Sequence, residues 1–284
     1  MSGVILAVVE HPESALQTLA AARWLAGLMG TARINVLAVR VLPELAIVST
    51  EEILTSHQTA PISGREEDRM AALHKAFNAW AASARADAVV AEWVDVEGPA
   101  DTLVGEWGRR SDFLILNRPA WRDNVPDRMK LQAALFDTDR PVLVVPPGLA
   151  TTFGKCVAIA WRDDKRTIRS VLTALRLLSQ AREVHVLAGV RAGLPAPGLP
   201  EILAEHGIAA TLHVMSSGPQ GRPETRPRAG AVAFGETLLA KAHALGADLL
   251  VMGAYTHSPW RELVLGGVTR HMLAHADLPV LMRH

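Results

Sequence analysis

The residues with the clearest chemical potential lie near the C-terminus. There the chain reads Gly253-Ala254-Tyr255-Thr256-His257-Ser258-Pro259-Trp260-Arg261, and, four residues on, Gly266-Gly267-Val268-Thr269-Arg270. Glycine lets a backbone approach a bound group closely. Gly266-Gly267 opens a helical stretch that runs through His271-Met272-Leu273-Ala274-His275. The free amides and dipole at a helix start favour an anion such as a phosphate. Arg261 and Arg270 can add positive charge, with Arg261 the nearer candidate. The candidate binding residues are therefore Gly253, Thr256, Gly266, Gly267 and Val268. Trp161 joins them from an earlier apolar run. Its ring can stack on a base or equally plug the pocket.

Elements that could position this loop appear twice. Val4–Val9 is a short β-rich run that reads as a strand buried on both faces. Residues 13–29 follow with Leu16, Leu19, Ala20, Trp24 and Leu28 near helical spacing, and Gly30 can end that helix in a left-handed conformation. Ile34–Val39 is the next strand. The order recurs from Cys156–Trp161, through a helix over 164–180 with Ile168, Val171, Leu172, Leu175 and Leu178 on one face, to Val184–Leu187. Later, Asp112–Leu116 corresponds to Asp248–Met252, and Arg140-Pro141–Val145 to Leu278-Pro279–Met282. Helical stretches at Ala100–Arg110 and Gly235–Leu245, the latter ended by Gly246, precede the fourth strands.

Each copy thus reads β-α-β-α-β-α-β-α-β. Alternation of this kind predicts a parallel sheet with helices on both faces and right-handed crossovers. The predicted fold is α/β: two tandem doubly wound, Rossmann-like domains, residues 1–148 and 152–284, each a five-stranded parallel sheet. Pro146–Thr152 is the linker. Residues 43–66 are expected as a long connection. Residues 216–230 are expected as a solvated loop whose Arg222, Arg226 and Arg228 could meet a phosphate.

In open parallel sheets ligands sit beyond the carboxyl ends of the strands, at the switch in strand order. At that place the chain resembles the universal stress protein family, whose loop Gly-x2-Gly-x9-Gly-Ser/Thr cradles the phosphates of ATP. Val251-Met252-Gly253, Leu265-Gly266, Val268, His275-Ala276 and Pro279-Val280-Leu281 carry the resemblance, which extends over both copies. Thr256 stands at the family's second glycine and Gly267 at its hydroxyl residue. Trp161 stands where ATP-binding members end strand one in an aspartate, and Asp163 and Asp164 follow later. The first copy has no glycine from Asn117 to Asp139, so the resemblance implies a cradle in the second copy alone.

The resemblance implies a non-enzymatic stress-response protein that binds ATP or another adenine nucleotide in its second domain. It also implies an intramolecular pairing of the two domains through segments 141–145 and 279–282, whose apolar edges need covering, and a homodimer as a further level. A ligand-free interaction scaffold and a slow ATPase are the rivals.

Other chemistries lack their residues. Gly148–Cys156 has five residues between its glycines, ends in cysteine and precedes a strand, so it is a linker and not a phosphate loop. No Gly-x-Gly-x-x-Gly follows either first strand, and no Gly-x-Ser-x-Gly occurs. His206-Gly207 reads as a helix end. His271 and His275 have metal-ligand spacing but no acidic partner, so no metal site is expected. Lys+Arg and Asp+Glu both number 29, which gives no footing for nucleic acid or an anionic membrane. Cys156 is the only cysteine, no apolar run spans a bilayer, and the start lacks a basic leader, so the expected compartment is the cytoplasm.

Overall fold

The computed structural model describes residues 3–30, 33–40, 56–84, 89–119, 125–148, 152–190, 197–216, 227–254 and 266–284. The first copy contains β1 (Val4–Val8), α1 (Pro12–Met29), β2 (Arg33–Arg40), α2 (Ser56–Ala84), β3 (Val90–Glu97), α3 (Ala100–Arg109), β4 (Phe113–Asn117), α4 (Val125–Phe136) and β5 (Val142–Val145). The second contains β6 (Cys156–Trp161), α5 (Lys165–Leu178), β7 (Glu183–Val190), α6 (Glu201–Glu205), β8 (Thr211–Ser216), α7 (Pro227–Ala244), β9 (Leu249–Gly253), α8 (Gly267–His275) and β10 (Val280–Arg283). The α/β alternation and its duplication hold.

The chain divides into two compact units. One comprises residues 1–117 and 123–140, the other 118–122 and 141–284. In the first unit the strand order is β3-β2-β1-β4, all parallel. The chain steps outward from β1 to β3, then returns to the far side of β1 as β4. Right-handed crossovers then put α1 and α2 on one face and α3 on the other. The second unit repeats this as β8-β7-β6-β9-β10, also parallel. It adds β5, which pairs antiparallel with β10 through Val144↔Val280, Leu143↔Leu281 and Val142↔Met282. The expected union of segments 141–145 and 279–282 is thus present, and it covers the apolar edge of β10.

Burial repeats as faithfully as element order. In α1 the buried residues are Ala15, Thr18, Leu19, Ala22, Leu25 and Ala26, with Ala21 beside them. In α5 they are Thr167, Ser170, Val171, Ala174, Leu177 and Leu178. Both sets fall at i, i+3, i+4, i+7, i+10 and i+11, one stripe that seats a helix on a sheet. This corrects the faces expected from hydrophobicity alone. Leu16 is 54% and Leu172 46% exposed, because each lies off the stripe that meets the sheet, where Ala15, Thr18, Thr167 and Ser170 are buried instead. An aspartate also recurs. Asp112 accepts from the Val4 amide (2.8 Å), and Asp248 accepts from the amides of Gly154 (2.9 Å), Lys155 (3.1 Å) and Cys156 (3.1 Å). Each ties the start of its unit's central strand to the strand beside it.

Helix ends follow the glycines. Gly30 lies at φ 61° and donates to Ala26 and Gly27 carbonyls, and Gly207 closes α6 at φ 66°. Two expected loops are shorter than read. Residues 56–66 belong to α2, whose buried Met70, Leu73, Phe77, Trp80 and Ala84 anchor a helix that propagates cooperatively into polar sequence. Residues 227–230 likewise open α7, with Pro227 at the first position, where its missing amide costs nothing. Residues 43–55, 217–226 and the linker positions 149–151 lie outside the described residues.

Close packing sets one sharp test. A Cβ on Gly108 would stand 2.5 Å from Thr138 Cγ2 and 2.8 Å from Leu114 Cδ2, both on buried residues. Gly108→Val is expected to destabilise the protein by about 1–3 kcal/mol in chemical denaturation, through overpacking. Unchanged stability would show that α3 does not pack there as described.

Candidate functional site

The reversal of strand order creates a crevice in each unit, between the carboxyl ends of β1 and β4 and of β6 and β9. The two crevices are furnished differently.

In the first unit the protein's own side chains fill it. Glu10 and His11 follow β1, and Asp127 and Lys130 come from α4, one helical turn apart. The Lys130 ammonium lies 2.6 Å from Glu10 Oε1 and 2.8 Å from Asp127 Oδ1. His11 Nε2 lies 2.9 Å from the other Asp127 oxygen, Oδ2. Glu10, Asp127 and Lys130 are all buried. Arg69 of α2 donates to the Glu10 and Val39 carbonyls, both at 2.7 Å, and pairs with Glu66. At the end of β4, Asn117 Nδ2 donates to Ser14 Oγ (2.7 Å) and its Oδ1 accepts from Thr18 Oγ1 (2.8 Å). Each carboxylate therefore finds a cation within the fold.

The electrostatics follow from burial and pairing. Burial holds Glu10 above the ordinary carboxylate range, although Lys130 opposes it. Burial also acts to raise Asp127, but His11 and Lys130 together outweigh it and hold that group low. Burial opposes the charge on Lys130, yet Glu10 and Asp127 raise it. The hydrogen bond to Asp127 raises His11 against its own burial. None of these four residues was singled out from the sequence. The available signal was Glu10-His11 directly after the first strand, with Asp127 and Lys130 three apart on a helix.

The second crevice carries the residues read from the sequence. Trp161 ends β6, half-buried, in register with Ala188. Gly253 ends β9, buried, in register with Arg283. Gly266 is the N-cap of α8, at φ −57° and ψ 147°, and Gly267 and Val268 form its first turn. Gly266 has no side chain to accept from the first-turn amides, and the first helical bond, Arg270 N to Gly266 O, is 2.9 Å. The structure thus brings Gly266, Gly267 and Val268 together at a helix start, with Gly253 and Trp161 on the strands flanking the crevice. Thr256, His257 and Arg261 lie outside the described residues.

Three neighbours have other duties. Asp164 caps α5, with Oδ1 accepting from the amides of Arg166 (3.1 Å) and Thr167 (3.0 Å), so it does not stand in for an aspartate at the strand end. Arg118 holds the far end of α8, where its guanidinium donates to the Ala274 (3.2 Å) and Ala276 (2.8 Å) carbonyls. The rings of His271 and His275 pack tilted at 36°, with centroids 4.6 Å apart. Burial, and then the neighbouring His275, hold His271 below its ordinary value. The groups of metal-ligating side chains found among the described residues do not include this pair. They are Glu10/His11/Asp127 and Cys156/Glu183/His185.

Residues 219–284 match the model of the Universal stress protein family, the stretch that holds Gly253 and Gly266-Gly267. No curated protein matches the chain in sequence. Among solved structures, a universal stress protein from Archaeoglobus fulgidus DSM 4304 is similar over 100% of this chain and 96% of its own, with TM-score 0.71 and 17% identity. A putative universal stress protein from Pseudomonas aeruginosa UCBPP-PA14 is similar over 99% of this chain and 93% of its own, with TM-score 0.60 and 18% identity. The cytoplasmic domain of a prokaryotic cation chloride cotransporter is similar over 99% and 94%, with TM-score 0.55 and 13% identity. At these identities the likeness is one of fold. The resemblance read from the sequence is borne out.

Two outcomes test the first crevice. Lys130→Met leaves the buried Glu10 carboxylate without its cation and Asp127 with His11 alone, and it is expected to cost about 3–5 kcal/mol in denaturant unfolding, partly recovered by adding Glu10→Gln. His11 is raised above 6.5, so its contribution is present below that value and fades as pH rises through the raised one. The stability lost in His11→Asn should therefore be larger near pH 6 than near pH 9. Equal losses would remove the His11–Asp127 ion pair from the account.

Proposed function

We propose that this chain, with the universal stress protein fold over its length and the family's match in residues 219–284, is a non-enzymatic, cytoplasmic stress-response protein that binds one adenine nucleotide, ATP, per chain. The observation that carries the reading is the contrast between the crevices. In the first, Lys130 and Arg69 already serve as cations and Asn117 ties the strand end to α1. In the second, the amides at the start of α8 have no N-cap side chain, which suits a phosphate. Gly266, Gly267 and Val268 would hold the phosphates, Gly253 would let them approach, and the half-buried Trp161 would stack on the base. Thr256 belongs to the same loop. Among the described residues no acid, base or magnesium carboxylate is assigned there, and the nucleotide is read as acting by occupancy.

A ligand-free interaction scaffold is the second reading. It is favoured by Trp161 at the mouth of the crevice and by Asp164 being spent as a cap. Among the described residues no helix is long and apolar enough to cross a membrane.

Equilibrium binding of ATP, ADP and AMP to the full chain separates the readings. Saturable ATP binding, weakened at least about 10-fold in Gly266→Arg with unchanged circular dichroism, is the expected result; that is about 1.4 kcal/mol. No binding at millimolar ATP supports the scaffold. Steady phosphate release that Gly266→Arg abolishes would make the protein an ATPase.

A further inference from the structure

A different set of donors lies at the opposite, amino edge of the second unit's sheet. Cys156 is the first residue of β6 and Glu183 the first of β7, and the two are register partners on neighbouring parallel strands. His185 follows Glu183 by two residues and so shares its face of the strand. Cys156 Sγ, a Glu183 carboxylate oxygen and a His185 ring nitrogen lie within 4.8 Å of one another. β6 separates this cluster from Trp161 by about 16 Å, at about 3.3 Å per residue. It is therefore independent of the nucleotide reading.

The surroundings are built for a cation. The C-terminal end of α7 reaches the cluster, where the Leu245 carbonyl accepts from the Cys156 thiol at 3.4 Å. The negative end of a helix dipole favours positive charge. The Glu183 carboxylate belongs to the cluster and Asp248 accepts from the Cys156 amide, so a cation bound there would stand among acidic groups. Lys130 fills that role in the first unit's crevice, whereas here the partner of the Glu183 carboxylate among the described residues is His185, at 3.3 Å. The other ring nitrogen of His185 is engaged as well. His213 Nε2 sits 3.2 Å from His185 Nδ1. Burial, then the charges of Lys241 and His185, hold His213 below its ordinary value. With His213 on Nδ1, the other ring nitrogen of His185, Nε2, is the one that faces Glu183. Metal-ligating histidines are oriented in this way by a partner on the second nitrogen.

We propose that Cys156, Glu183 and His185 form a three-donor site for a divalent cation of the zinc class, with a fourth position open to solvent. Thiolate, imidazole and carboxylate are the donors zinc takes, and three protein ligands with one exchangeable position is a coordination it adopts. Donor atoms around tetrahedral zinc lie roughly 3.4–3.7 Å apart, given bond lengths of about 2.0–2.3 Å. The three donors lie within 4.8 Å of one another, with Glu183 and His185 already 3.3 Å apart, so closing on an ion would require only side-chain rotations.

The full reduced chain should be titrated with zinc by calorimetry and with cobalt by absorbance. The expected result is one equivalent per chain, with a thiolate-to-cobalt charge-transfer band that Cys156→Ser abolishes. His185→Gln and Glu183→Gln should each weaken zinc at least about 10-fold, the scale on which even outer partners of a metal act. His11→Asn, in the other cluster, should leave it unchanged. Cys156 is the only cysteine, so a second readout needs no variant: one equivalent of zinc should slow its reaction with a disulfide reagent. No charge-transfer band, no protection of the thiol, or equal affinity in His185→Gln and Glu183→Gln would each overturn the site.

Discussion

The structure depends on one constraint, the complete burial of the central parallel strands. Ile5, Leu6 and Ala7 in β1, and Val157, Ala158 and Ile159 in β6, are fully buried. A strand covered on both faces must be apolar along its length, must pair on both edges, and must receive a helix on each side. Right-handed crossovers satisfy this only if the chain winds outward and then returns past its start. The crevice at the carboxyl edge is the consequence of that return. It opens where two neighbouring strands send their following segments to opposite faces.

Duplication preserved this frame while the crevices diverged. The buried stripes of α1 and α5 have identical spacing, and Asp112 and Asp248 tie down equivalent strand starts. Both features secure the frame, and both are kept. Among the described residues nothing comparable is shared at the carboxyl edges. One copy holds Glu10, Asp127 and Lys130 in a buried ion network, while the other presents a helix whose N-cap is glycine. A buried charge is tolerated only when paired, so the first crevice supplies its own cation. The second has no side-chain cap at the start of α8. The two solutions sit on one scaffold because a parallel sheet fixes where its loops begin and leaves their content free.

Polar groups at the amino edge follow a different logic. Cys156, Glu183, His185 and His213 line up because neighbouring strands are in register and alternate residues share a face. No local sequence pattern links them. Cys156 and Glu183 are far apart along the chain, and parallel pairing alone makes them neighbours.

The sequence by itself determined the alternation of elements, the repeat, the glycine helix ends at Gly30 and Gly207, and the helix that begins at Gly266-Gly267. These are properties of local periodicity and backbone freedom, which short stretches of chain carry within themselves. It did not determine which residues of α1 face the sheet. Leu16 is more apolar than Ala15 or Thr18, yet it stays outside because it lies off the stripe by which Ala15, Thr18, Leu19 and Ala22 seat α1 on the sheet. Nor did it reveal the partners of Glu10, Asp127 and Lys130, or the meeting of Cys156, Glu183 and His185. Those arrangements bring together residues from separate elements, and only strand order and register decide which charges and donors become neighbours. The glycine start of α8 was legible because it lies in consecutive residues. The ion network and the thiol cluster were not, because their arrangement exists only after the sheet has formed.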